Sequence, residues 1–98
     1  MRRPITKQQA EELQSKNSII RLIDIRSVDE YAKLHVPEAV NIPSEILKGE
    51  IASFAKDDAI ICICNHGKKR SQQAAETLYN LGFENALYLE GGTAGWFA

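Results

Sequence analysis

The chain has 98 residues, of which 44% are hydrophobic and 26% charged, and its formal net charge is −1. That length suits one domain, residues 1–98, with a single core and no need of covalent staples. A nucleic-acid binder would carry a basic excess that is missing here, and no apolar run approaches the roughly 20 residues needed to span a bilayer.

Met1-Arg2-Arg3-Pro4 is basic, but the apolar stretch of a secretory signal does not follow it. Thr6 to Gln9 has the form of a capping box. It predicts a short helix to about Lys16, with Ala10 and Leu13 inward and a break at Asn17-Ser18. Ile19 to Ile25 is rich in β-branched residues and reads as the first strand. Ser27 to Glu30 is a second capping box, opening a helix through Tyr31, Ala32 and Leu34. This helix stops before His35-Val36-Pro37, because the residue preceding a proline is pushed out of the helical region. Ala39 to Ile42 is a short strand closed by Pro43. Ser44 is placed to cap about one helical turn through Glu45, Ile46 and Leu47, Gly49 interrupts it, and Ile51 to Ala55 forms another turn.

After a surface turn at Lys56-Asp57-Asp58, Ala59 to Ile63 is nearly all apolar. That is expected of a central parallel strand covered on both faces. Ser71 to Leu81 predicts a helix with Ala74, Ala75, Leu78 and Leu81 along one face, and Gly82 at its C′ position. Ala86 to Leu89 is the last strand, Glu90-Gly91-Gly92 a turn, and Thr93 the cap of a final helix holding Trp96. Strands alternating with helices indicate an α/β fold with a mostly parallel sheet. Ligands bind such sheets beyond the carboxyl ends of the strands. That edge carries Cys64 and, if the strands run parallel, Asp24 and Arg26, most simply a structural pair.

Cys64-Asn65-His66-Gly67-Lys68-Lys69-Arg70 therefore joins a buried strand to a helix. First-turn N–H groups lack internal partners and the helix dipole is positive there, so a loop over such an end forms an anion site. A thiolate placed in it is stabilised and activated. Lys68, Lys69 and Arg70 add positive charge, and Gly67 permits a left-handed turn or a close approach. The stretch reads as a nucleophilic cysteine in an anion cradle. Cys62 reads as core, two positions from Cys64 on one extended segment, which is poor geometry for a disulfide. These thiols suit a reducing cytoplasm. The C-x-C-x-H pattern lacks zinc spacing, and no metal or cofactor is expected. His35 reads as structural, and His66 is placed to tune Cys64.

Four further stretches resemble the rhodanese-like domain family, in order and across nearly the whole chain. Asp24-Ile25-Arg26-Ser27-Val28-Asp29-Glu30-Tyr31 is similar to the family's D-[VI]-R-x-x-x-E-[FY], and His35 to Pro43 to its G-H-I-P-G-A-x-N-[IL]-P. Ser71 to Phe83 with Asn85 resembles the helix and turn after the active loop, and Leu89-Glu90-Gly91-Gly92 with Trp96 the closing L-x-G-G-x-x-x-W. The resemblance implies a three-layer fold, a sheet of about five strands between helices. It also implies sulfur transfer: Cys64 takes a sulfane sulfur from a donor such as thiosulfate, becomes a persulfide and passes the sulfur to a thiophilic acceptor. Asn65, His66, Gly67, Lys68, Lys69 and Arg70 would bind the anionic donor, and a sulfur-accepting or sulfur-donating protein is an implied partner; no nucleic acid and no membrane is.

Three departures stand out. The loop is one residue longer than the family's C-x-x-G-x-[RST]-S, giving the Cys-(x)5-Arg spacing of cysteine phosphatases and arsenate reductases. Glu38 stands at the usual Gly, and Leu34 at the Gly before His35. A phosphatase or arsenate reductase-like enzyme and a non-enzymatic interaction module remain as alternatives.

Overall fold

A computed structural model describes residues 3–16 and 20–98. The expected break at Asn17-Ser18 and the expected first strand residue, Ile19, lie outside them. Among the described residues five strands form one sheet: β1 (Pro4–Ile5), β2 (Ile20–Asp24), β3 (Val40–Asn41), β4 (Ala59–Ile63) and β5 (Ala86–Leu89). Their order is β1-β5-β4-β2-β3 and every pairing is parallel. Among the described residues four helices connect them, α1 (Lys7–Ser15), α2 (Val28–Lys33), α3 (Leu47–Glu50) and α4 (Lys69–Asn80), with a 3-10 turn at Ile51–Ser53, and a fifth, α5 (Gly92–Trp96), follows β5.

The central position of β4 follows from its composition. Ile60, Ile61, Cys62 and Ile63 are all 0% exposed. Side chains alternate across a strand, so β4 feeds two cores. Ile60, Cys62 and Cys64 join Leu47, Ile51, Ala75, Leu78 and Phe83 on the face covered by α3 and α4. Ile61 and Ile63 join Ala10, Val36 and Leu89 on the other face, with Leu13, Tyr31 and Trp96 packed against them. Each fully buried isoleucine contributes about 1.5–3 kcal/mol in transfer terms. The parallel α/β sheet is the one expected from the element order, and its three layers are those that the family resemblance implied.

Both capping boxes form. Thr6 accepts from the Gln9 N–H while the Gln9 side chain accepts from Thr6, and Ser27 and Glu30 do the same for α2. Other boundaries differ from expectation. α4 starts at Lys69 rather than Ser71, and Leu81 is its C-cap and 42% exposed, not part of the buried face. Gly82 takes a φ of 103, as a C′ glycine does. Gly49 lies within α3 instead of interrupting it, and Ser44 does not cap that helix, because its hydroxyl turns to the Glu45 carboxylate. Thr93 does not cap α5; the cap is Gly91, and Thr93 is the helix's second residue. β1 had no sequence signal of its own: it is two residues long and exists by pairing with β5.

Candidate active site

At the carboxyl end of β4 the chain turns sharply and enters α4. Lys68, the N-cap of α4, has no capping side chain for the orphan N–H groups of the first turn. The sulfur of Cys64 takes that place. It lies 3.1 Å from Ser71 Oγ, and the N–H groups of Ser71, Lys68 and His66 also point to it. Burial alone would push the thiol up from its ordinary 9.0; the Ser71 hydroxyl and these three N–H groups outweigh burial, and the net shift is down. Cys64 is thus only 3% exposed yet lies on a cleft of about 320 Å³ lined by Asn65, His66, Lys68, Lys69 and Arg70. Cys62, on the same sheet face, is different in kind. Burial, and secondarily the neighbouring Cys64, push its thiol up to about 12.

Two sets of contacts fix the loop. On one side is Arg26, at the end of β2. Its Nε and Nη2 grip the Asp24 carboxylate at 2.7–3.1 Å, Nη2 also donates to the Leu34 carbonyl at 2.6 Å, and Nη1 donates to Asn65 Oδ1 at 3.0 Å. Asp24 and Arg26 are 0% and 4% exposed, so the pair is desolvated and fully bonded. Asn65 Nδ2 in turn donates to Glu30 Oε2 at 2.9 Å. That bond, followed by the N–H and hydroxyl of Ser27 and a lesser pull from Arg70, lowers the Glu30 carboxyl from 4.5 to about 2.

On the other side lies the closing Gly-Gly turn. Thr93 N–H donates to the Cys64 carbonyl and Ala94 N–H to the Asn65 carbonyl, both at 2.9 Å. Gly92 has a φ of +60, and a Cβ there would sit 2.4 Å from the Cys64 carbonyl oxygen. Gly67 has a φ of +68, and a Cβ there would sit 2.5 Å from the Leu89 carbonyl oxygen. Both glycines therefore serve a left-handed backbone and a close approach at once.

The seven residues singled out in the sequence come together, with different orientations. Asn65 lines the cleft, and its side-chain amide is held by Arg26 and Glu30. His66, Lys68, Lys69 and Arg70 are exposed around the cleft, and Gly67 is buried beneath it. Arg70 Nη2 lies 3.8 Å from Glu30 Oε1. His35 stacks on Tyr31, with its Nδ1 2.9 Å from the Tyr31 carbonyl, and has no place at the cleft. Ser71 is the residue that sequence reasoning passed over. Its signal was a hydroxyl at the third position of a helix whose cap residue is a lysine.

The profile of the rhodanese-like domain family matches residues 6–98. The chain belongs to that family. Among its relatives, YrkF of Bacillus subtilis, named a putative sulfur carrier protein, is 31% identical over 77 residues, covering 79% of this chain and 41% of that protein. The thiosulfate sulfurtransferase GlpE of Shewanella oneidensis is 31% identical over 77 residues, covering 79% of this chain and 75% of that protein. The rhodanese-like chain thus spans about half or less of some curated relatives and about three quarters of others. Its fold matches a rhodanese-related protein from Thermoplasma volcanium with a TM-score of 0.81 at 28% identity, over 97% of this chain and 90% of that one.

Proposed function

We propose that this rhodanese-like domain transfers sulfur through a Cys64 persulfide. The observation that carries the reading is the Cys64 sulfur itself, buried at a strand end, favoured as thiolate by Ser71 and three backbone N–H groups, and open to a cleft ringed by cations. The Cys64 thiolate attacks the outer sulfur of thiosulfate. A sulfur–sulfur bond forms to Cys64, the bond within thiosulfate breaks, and sulfite leaves with the electron pair. The N–H groups and the Ser71 hydroxyl then hold the terminal persulfide sulfur, and Lys68, Lys69 and Arg70 offset the charge of donor and sulfite. An acceptor thiolate attacks the terminal sulfur, departs as a persulfide and regenerates the Cys64 thiolate. GlpE is named a thiosulfate sulfurtransferase and YrkF a putative sulfur carrier, which supports a small anionic donor and a sulfur-accepting or sulfur-donating protein as partners. Two free thiols fit a reducing compartment such as the cytoplasm.

Hydrolysis of a phosphate ester needs a proton for the leaving alcohol. Glu30, the carboxylate bonded to the loop, has a pKa of about 2 and stays ionised, so it does not supply one. Arsenate reduction needs a second thiol; Cys62, fully buried with its pKa pushed up to about 12, is not placed to be that thiol, so this alternative would need one from outside the chain. The ionised state of Glu30 favours sulfur transfer over phosphate-ester hydrolysis.

The deciding experiment is intact-protein mass after incubation with thiosulfate and then cyanide. The expected result is a gain of one sulfur atom, removed by cyanide and absent in Cys64→Ser. No gain with thiosulfate or with a persulfide donor overturns the reading.

A further inference from the structure

Three exposed cations, Lys68, Lys69 and Arg70, ring the cleft over Cys64. Of the three, Arg70 has an ion-pair partner among the described residues, Glu30, at 3.8 Å. That separation is too long for a hydrogen bond. The carboxylate is already occupied: Oε1 accepts from the Ser27 N–H and hydroxyl, and Oε2 from Asn65. Glu30 is therefore a fixed charge that steers the Arg70 guanidinium without using up its five donors. Arg70 also lines a second cleft, of about 420 Å³, between α3 and α4, with Ser44, Lys48, Gln73 and Thr77 among its walls. An unsteered Arg70 has two places to go.

We propose that Glu30 is a positioning residue for the anionic sulfur donor: it keeps Arg70 over the Cys64 cleft, where the planar guanidinium takes two oxygens of the donor, and out of the cleft between α3 and α4. The assignment rests on the sulfurtransferase reading for its donor, but its central claim concerns an oxyanion and is testable without turnover. A bidentate guanidinium gives directional recognition that a lysine ammonium does not.

The test is a double-mutant cycle on the full chain with two readouts: KM for thiosulfate, and the dissociation constant for sulfate, an unreactive oxyanion, followed by the amide NMR shifts of residues 64–71. Arg70→Ala weakens both more than Lys68→Ala or Lys69→Ala does, and Arg70→Lys recovers only part of the loss. Glu30→Gln in the native background weakens sulfate binding and raises KM by about two- to fivefold, the scale of an exposed ion pair, with kcat little changed. In the Arg70→Ala background the same substitution is neutral or tightens sulfate binding, because only repulsion between carboxylate and anion is left to remove. A Glu30→Gln effect of equal size and sign in both backgrounds means that Glu30 acts only through Asn65, and overturns the proposal. So does sulfate binding that ignores Arg70→Ala, or no sulfate binding by the native chain. If native protein takes up no sulfur while the sulfate cycle behaves as stated, the sulfurtransferase reading falls and the positioning of an oxyanion by Glu30 and Arg70 stands.

Discussion

The hydroxyl of Ser71 lies 3.1 Å from the sulfur of Cys64, seven positions along the chain. While the sulfur is protonated, its S–H donates to Ser71 Oγ, and the hydroxyl donates to the Lys68 carbonyl at 3.3 Å. Once the sulfur ionises, the hydroxyl can rotate to donate to it. Ser71→Ala removes this donor and leaves the N–H groups. The Cys64 pKa then rises, and sulfur uptake at neutral pH slows by about tenfold, the scale of one hydrogen bond to a charged group. Raising the pH restores the thiolate and recovers most of the loss. The pH profile of Cys64 alkylation by iodoacetamide measures this directly; an unshifted midpoint would falsify the assigned role of Ser71.

Two cysteines on one sheet face should behave as unlike reagents. Cys62 is wholly buried and its pKa is pushed up to about 12. Cys64 is shifted down and meets the cleft. Brief alkylation of the native protein near neutral pH therefore labels one thiol, and peptide mapping places the label on Cys64. In denaturant both react. Equal labelling under native conditions contradicts the burial described here.

Acid should loosen the joint between α2 and the loop. The Glu30 pKa is lowered from 4.5 in an ordinary environment to about 2 in the fold. A group whose folded pKa is depressed adds stability above its unfolded pKa and loses it as pH falls. Here the contribution is intact above about 4.5 and is lost between there and about 2. Because the Glu30 side chain is 36% exposed, solvent screening makes this effect small. Melting curves of the native chain and Glu30→Gln should lie apart at neutral pH and converge toward pH 2. A constant gap across that range counts against the linkage.

Two substitutions in opposite directions should each stabilise the fold. Glu38, at the position where the family usually has glycine, has a φ of 70, and its carboxylate accepts from the Gln14 amide at 3.3 Å. Glu38→Gly relieves a left-handed residue and should add up to about 1 kcal/mol. Gly49 sits inside α3, and a Cβ there meets nothing within 4 Å. Gly49→Ala should add about 0.5–1 kcal/mol through helix propensity. Chemical denaturation of the two variants decides both, and a lower midpoint for either contradicts its backbone argument.

What was legible in the sequence was local or strongly apolar. Thr6 with Gln9 and Ser27 with Glu30 cap helices through partners three residues apart, so spelling alone reveals them. Ala59 to Ile63 shows its central place because four consecutive residues tolerate burial on both faces. The misplaced features depend on distant partners. Pro4 and Ile5 form a strand only because Tyr88 and Leu89 lie beside them. The bonds that hold the Asn65 side chain were not legible either, because Arg26 and Glu30, more than thirty residues away, take both ends of its amide. The start of α4 was set too late because its cap is a cysteine sulfur, and capping rules look for an oxygen on the preceding residue.

The contacts of α5 with the loop have a consequence for polarity. A peptide segment carries as many carbonyl acceptors as N–H donors, so a bare loop is no more welcoming to an anion than to a cation. Here the carbonyls of Cys64 and Asn65 are engaged by the N–H groups of Thr93 and Ala94. The two oxygens nearest the sulfur in sequence are thereby occupied, while the N–H groups of His66, Lys68 and Ser71 point to it. The final helix acts as a sorting device, giving a neutral length of backbone one positive side.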